Sequence, residues 1–157
     1  MSILRFLMLL SLVVWLGGLI FFAFVVAPTA FKVLPTHHLA GSVVTRSLGA
    51  LHWMGIVSGI VFLTTSMIYK RLTVGAAHPF AARHLLVYVM LALTCISQFV
   101  IMAKMTALRT AMGEIDKVPV SDPMRVAFNQ LHVWSTRVEG TVLMCGLIVL
   151  YLVARKL

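Results

Sequence analysis

Four long apolar runs, separated by short polar segments, dominate the sequence. They cover roughly residues 4–31, 47–69, 84–103 and 134–154. A helix rises about 1.5 Å per residue, so each run can cross the roughly 30 Å of hydrocarbon in a bilayer. The pattern predicts an all-α fold: an integral membrane antiparallel four-helix bundle. Residues 1–157 are expected to form a single four-span membrane domain, with helices that extend beyond the membrane.

Capping residues and small residues refine this picture. Asp122 and the proline after it are typical of a helix start, because the carboxylate can accept a hydrogen bond from a free N–H group. Gly113 favours the end of the third helix. In the second helix, Gly55 and Gly59 belong to a face of small residues that lets a neighbouring backbone approach closely. His52 lies on that face and is therefore predicted to point into the bundle.

Composition supports a membrane protein. The chain is 61% hydrophobic and 11% charged, with a mean hydropathy of +1.04, which is too apolar for a soluble core. Most basic residues follow the ends of the apolar runs, where they contact anionic headgroups, so the net charge of +9 does not predict nucleic-acid binding. The expected partner is the lipid bilayer, and the sequence leaves open whether the protein forms a homo-oligomer. Residues 6–31 are uncharged and too long for a signal peptide, so we expect a retained span.

The cysteines and the loop histidines are weaker candidates for chemistry. Cys95 and Cys145 both lie inside apolar runs, which argues against a disulfide framework. His37, His38 and His78 are predicted to lie in loops, where contact with water or headgroups is expected.

Four spans place both termini on one side of the membrane. Six basic residues and no acidic residue go with that side: Arg5, Lys70, Arg71, Arg83, Arg155 and Lys156. The opposite side takes the other seven basic residues and all four acidic ones. Because the six lie tight against span ends, we predict that both termini are cytoplasmic, in a bacterial inner membrane or its equivalent.

Polar and ionisable groups gather in and before the last apolar run. His132, Ser135 and Glu139 share one face of the fourth helix at about 100° per residue. An ionisable group at such a depth is expensive and is by default a functional-site hypothesis. Counting along the helices from their cytoplasmic ends places His52, Lys104 and Glu139 in one layer of the outer leaflet, with His132 above it. These five residues form the candidate polar site.

Three interpretations of this site stay open. His52 and His132, from different helices, can ligate haem iron or a transition metal, so haem b and copper are candidate cofactors. The same groups could serve a proton or ion pathway. Alternatively, His52, Lys104, Arg109 and Glu139 form an interhelical network of ion pairs and hydrogen bonds that fixes helix order. No nucleotide loop, nucleophile elbow or zinc-ligand spacing occurs, so hydrolytic and kinase chemistry have no support.

Three segments carry a resemblance to a known family: residues 15–31, residues 34–41 and residues 128–135. Together they resemble the four-helix, transmembrane-protein-205-like membrane family of unknown function, across nearly the whole chain. The element formed by Phe128, Leu131, His132 and Ser135 is fairly specific. The resemblance implies a small integral membrane protein without a settled biochemical activity.

More remotely, the tryptophan-x-glycine-glycine-leucine sequence at residues 15–19 is similar to CopD copper-resistance proteins and HemJ-type protoporphyrinogen oxidases. Those relatives typically carry a histidine early in the first span, whereas residues 5–31 here contain none. The functional prediction is a non-enzymatic polytopic membrane protein with a polar outer-leaflet site, for which haem or a metal ion is a candidate ligand. The alternatives are a haem-dependent membrane oxidoreductase and an ion or small-solute pathway.

Overall fold

Four long helices make up most of the computed structural model, which describes residues 2–75 and 79–155. They are α1 (Ser2–Val33), α2 (His37–Val74), α3 (Ala82–Met112) and α4 (Pro123–Ala154). A short 3-10 turn, Ile115–Lys117, lies between α3 and α4, and no described residue belongs to a strand. Each helix is long and apolar enough to cross a membrane, so the chain is a multi-pass membrane protein in a lipid environment. The predicted all-α, antiparallel four-helix bundle is confirmed.

Helices that are neighbours in sequence are also neighbours in space. α1 packs most extensively on α2, and α3 on α4, while contacts between α2 and α3 and between α1 and α4 close the bundle. The helices alternate in direction, so the start of α1, the end of α4 and the connection between α2 and α3 share one end of the bundle, the terminal end. The connection between α3 and α4 marks the loop end. Lys156 and His78, both used in the predictions above, lie outside the described residues.

α1 and α2 approach each other closely where Trp15 of α1 covers two glycines of α2. Trp15 is only 2% exposed. A Cβ added at Gly55 would stand 2.5 Å from the Trp15 Nε1 atom, and one added at Gly59 would stand 2.9 Å from its Cζ3 atom. The predicted small-residue face of α2 is therefore a packing face. His52 precedes Gly55 by about one turn and is 1% exposed, so it points into the bundle as predicted.

Two of the helices contain a widened π turn. In α1 it spans Phe22–Val26, just before Pro28, which has no N–H group to continue the α-helical hydrogen bonds. In α3 it spans Ser97–Ile101, and no proline occurs within α3. Such turns add one residue to a helix and often accompany functional sites. No proline therefore accounts for the turn in α3, which contains two polar residues, Ser97 and Gln98.

The predicted caps of α3 and α4 are confirmed. The Asp122 side chain accepts a hydrogen bond from the backbone N–H of Met124 at 2.8 Å, and α4 begins at the next residue, Pro123. Gly113 ends α3 with a positive φ of 68°, a conformation that favours glycine. These two signals set where the fourth helix starts and where the third one stops.

Asp116 ties the start of α2 to the connection between α3 and α4. Its carboxylate accepts the backbone N–H of His38 at 3.0 Å and lies 3.2 Å from the Nδ1 atom of His37. The prediction that these two histidines lie in a loop is wrong, because Thr36 caps α2 and they form its first turn. The hydrogen bond from the His38 backbone, and after it the neighbouring His37, hold the pKa of Asp116 below its usual value.

The glycine packing can be tested with two alanine substitutions. Gly55→Ala forces the Trp15 ring to move, so the free energy of unfolding should fall by about 1–3 kcal/mol. Gly17→Ala is the matched control, because nothing lies within 4 Å of an added Cβ there. It should be neutral or stabilising by up to about 1 kcal/mol. Unfolding of the purified variants in mixed detergent measures both, and equal effects would contradict the packing.

The Asp116 contact should make stability depend on acidic pH. Its pKa is lower in the folded than in the unfolded state, where it is about 3.9. The contact therefore stabilises the protein above that pH, and the stabilisation is lost as pH falls through the folded pKa. Asp116→Asn should be less stable than the wild type at neutral pH, and the difference should shrink on acidification. Thermal unfolding across a pH series measures this, and parallel profiles would argue against it.

Candidate functional site

Four polar side chains from three helices form a cluster inside the bundle, here called the polar cluster. His52 comes from α2, Ser97 and Gln98 from the π turn of α3, and Glu139 from α4. His52 and Ser97 are each 1% exposed, whereas the Glu139 side chain is 15% exposed. By residue count, the cluster lies roughly 21–24 Å along α2, α3 and α4 from the loop end. It is thus deep within the helices and far from either helix end.

Hydrogen bonds connect the four side chains directly. The Nε2 atom of His52 lies 2.7 Å from Oε1 of Glu139, and its Nδ1 atom lies 2.8 Å from Oε1 of Gln98. The hydroxyl of Ser97 donates to the same Glu139 oxygen at 2.8 Å. Both ring nitrogens of His52 are therefore engaged, and one carboxylate oxygen receives partners from two helices.

One proton can move between His52 and Glu139 within this arrangement. An ionised carboxylate only accepts hydrogen bonds, so with Glu139 ionised the Nε2 atom must carry the proton. If the carboxyl group holds the proton instead, it donates to a neutral imidazole. The Gln98 amide can accept from Nδ1 through its oxygen, or donate to it through its nitrogen after a flip. The polar cluster can therefore exchange an ion pair for a neutral pair and keep its hydrogen bonds.

The two adjacent residues that α3 contributes to the polar cluster both lie in its π turn. Adjacent residues of a helix point about 100° apart. Accordingly, Ser97 contacts Glu139 of α4 while Gln98 contacts His52 of α2. Neither residue was included in the predicted site. The signal that could have found them is an adjacent serine–glutamine pair inside an otherwise apolar run.

The structure brings two of the five predicted site residues into contact, His52 and Glu139. Ser135 lies about one turn before Glu139 on α4 and is 7% exposed. Lys104 and His132 are exposed. Lys104 lines an open groove of about 660 Å³ between α3 and α4 rather than contacting the polar cluster. A common role for the five residues stays a prediction. The hydrogen bonds instead define the four residues of the polar cluster.

The arrangement of these residues does not suit ligation of haem iron or a metal ion. Both ring nitrogens of His52 are occupied by Gln98 and Glu139, while His132 is exposed. Within residues 2–75 and 79–155, no three His, Cys, Asp or Glu side chains are grouped closely enough to hold a metal ion. Cys95 and Cys145 are free thiols. Ligation by His52 and His132 stays a prediction that would require His52 to give up a hydrogen bond.

A second group of polar side chains lies at the terminal end. The Nε2 atom of His84 lies 2.8 Å from the Ser66 hydroxyl, and the Nε–H of Arg83 donates to it at 3.4 Å. His84 and Ser66 are fully buried, and Arg83 is 9% exposed. Arg83 was predicted only as a basic residue at a span end, because sequence position alone does not reveal that its side chain turns inward.

The fold and the polar cluster define a class: a multi-pass helical membrane protein with a hydrogen-bonded ionisable cluster inside its bundle. Residues 10–114 match the family described as a domain of unknown function (DUF4149), and the chain belongs to this family. The matched region includes His52, Ser97 and Gln98 and ends before α4. No curated protein matches the chain, and no solved structure does. The expected relationship to transmembrane-protein-205-like, CopD and HemJ proteins is not shown by these comparisons.

Removing the carboxylate should destabilise the protein because its partners are buried. Glu139→Ala would leave Nε2 of His52 and the hydroxyl of Ser97 without their partner, which should cost about 1–3 kcal/mol of unfolding free energy. Glu114→Ala is the matched control. That carboxylate is 60% exposed and pairs with Lys117 on the surface, so its loss should have little effect on stability. Detergent-mediated unfolding measures both, and similar losses would show that the cluster adds little.

Proposed function

We propose that the protein is a non-enzymatic membrane protein whose polar cluster binds and releases a proton, as part of a pathway for protons or for a solute that moves with them. The observation that carries this proposal is the 2.7 Å contact between Nε2 of His52 and Oε1 of Glu139. It joins a base and an acid, so that a proton can move between the two side chains without a change in their positions.

The cost of the cluster favours a function over a purely architectural role. Burying two ionisable groups in an apolar bundle requires desolvation that their attraction barely repays, and apolar residues of similar volume often stabilise as well. Ionisable side chains at such depths are therefore typical of substrate, ion or proton pathways. The π turn of α3 at the same place adds support, since widened turns often accompany functional sites.

Exposure suggests where a proton enters the polar cluster. The Glu139 side chain is 15% exposed and His52 only 1%, so the carboxyl group is the more accessible part. By residue count, Glu139 lies about 24 Å from Arg155 at the terminal end, within a hydrocarbon core of about 30 Å. With both termini cytoplasmic, as the basic residues suggest, the cluster would lie in the outer leaflet. A proton would then reach Glu139 from the non-cytoplasmic side and pass to His52.

The competing role, a network that only fixes helix order, makes a different prediction for conservative variants. Glu139→Gln keeps an oxygen that accepts the Ser97 hydroxyl hydrogen bond but cannot ionise. A purely architectural cluster would tolerate this change in every functional assay. A proton-binding cluster would lose its exchangeable group while the bundle stays folded.

Proton flux in proteoliposomes tests the proposal. A pH-sensitive dye inside the vesicles should report acidification when a proton gradient is imposed on the wild type, and Glu139→Gln should lose most of that flux. Glu114→Gln, a change on the exposed surface, is the control and should retain it. Proton flux should be measured both with and without other ions present. If vesicles with the wild-type protein are no more permeable to protons than protein-free vesicles in either case, the pathway proposal is wrong.

A further inference from the structure

Acidic and basic residues are distributed unequally along this chain. The whole sequence contains four acidic residues: Glu114, Asp116, Asp122 and Glu139. Three of them belong to the connection before α4, and Glu139 is hydrogen-bonded within the polar cluster. None can reach the terminal end, which contains Arg5, Lys70, Arg71, Arg83 and Arg155. The cations there have no Asp or Glu side chain of this chain as a counter-ion.

Arg83 is the cation for which this matters most, because it is buried. Its residue is 9% exposed, and its Nε–H group donates to Nε2 of His84 at 3.4 Å, which is a long hydrogen bond. The guanidinium group keeps its protons, so Nε2 of His84 is the acceptor and the hydroxyl of Ser66 donates to it as well. An imidazole that accepts at Nε2 is neutral. His84 therefore gives Arg83 a hydrogen bond but no negative charge.

A buried guanidinium without a counter-ion is costly, and its surroundings increase the positive potential. Buried charges in proteins are normally paired or bound to an ion of opposite charge. Lys70 follows Ser66 by one helical turn, so its Cβ lies on the same face of α2 and its side chain can reach toward this group. α3 also starts here without a side-chain cap. All of these features favour an anion, and the planar fork of an arginine suits the oxygens of a phosphate.

We propose that Arg83, together with Lys70, binds a phosphate group at the terminal end, and that the headgroup of an anionic phospholipid supplies it. Arg83 is the second residue of α3, so its side chain lies where a span meets the headgroup layer. A lipid phosphate would provide the negative charge that no Asp or Glu side chain supplies there. This site is separate from the polar cluster and does not depend on proton exchange.

Lipid-dependent stability of the wild type is the first measurement. The purified protein is heated in micelles supplemented with phosphatidylglycerol or with phosphatidylcholine at equal ionic strength. The anionic lipid should raise the apparent Tm by roughly 2–4 °C over the zwitterionic one. Equal Tm values would overturn the proposal. Inorganic phosphate, compared with chloride at matched ionic strength, should have little effect, and full stabilisation by phosphate alone would overturn the lipid as its source.

Variants locate the effect at Arg83. Arg83→Gln should lose most of the increase due to phosphatidylglycerol, whereas Arg83→Lys should keep part of it because the charge remains and the fork is lost. Arg46→Gln, an exposed basic residue of α2 nearer the loop end, is the matched control and should keep the full increase. If Arg83→Gln does not fold, Lys70→Gln replaces it and should lose part of the increase. An equal loss in Arg46→Gln would refute a specific site.

Discussion

Polar side chains inside an apolar bundle must find their partners within the protein, because lipid offers none. The polar cluster is the clearest consequence of this constraint. His52, Gln98 and Glu139 come from three different helices, and His52 is hydrogen-bonded to both of the others. The relative height and rotation of α2, α3 and α4 are therefore restricted at this level. The π turn of α3 lies at the same level and contains both Ser97 and Gln98, which bond to different helices.

Close packing beside the polar cluster helps to keep it dry. One turn along α2 from His52, the indole of Trp15 covers Gly55 and continues over Gly59. This contact fills the space on the terminal-end side of His52 with an apolar ring. Hydrogen bonds in such surroundings are electrostatically stronger than in water, and an unpaired partner is correspondingly costly. The glycine face of α2 therefore contributes both to helix packing and to the chemistry of the cluster.

The sequence predicted the helices well because apolar runs and capping residues are local signals. Asp122 and Gly113 act through their own backbone neighbourhood, and no long-range information is needed to place them. Counting along helices also gave the correct level for His52 and Glu139, which do meet. Height alone, however, does not say which way a side chain points. Lys104 follows the π turn, whose extra residue rotates everything after it by about 100° relative to a regular helix, and it faces the groove instead.

Ser97, Gln98 and Arg83 were missed as site residues for related physical reasons. The sequence around the π turn of α3 is almost uniformly apolar, so the shift that the turn introduces cannot be seen in the hydrophobic pattern. From the sequence, Arg83 is an ordinary basic residue at the end of a span. Its burial could not be predicted because tertiary packing decides whether a long side chain is buried. The hydroxyl of Ser66, on α2, meets the same nitrogen of His84 that Arg83 contacts. A contact between two helices cannot be derived from spacing along one of them.

The polar cluster and the group around Arg83 differ in how their charges are balanced. The polar cluster contains its own acid, its own base and the hydrogen-bond partners of both, so its stabilisation is encoded in the chain. Arg83 donates to His84, and no Asp or Glu side chain lies at its end of the bundle, so no acidic side chain of the chain balances its charge. The first group therefore needs no ion from the bilayer, whereas a lipid phosphate bound at Arg83 makes the contribution of the second depend on the anionic lipids around it.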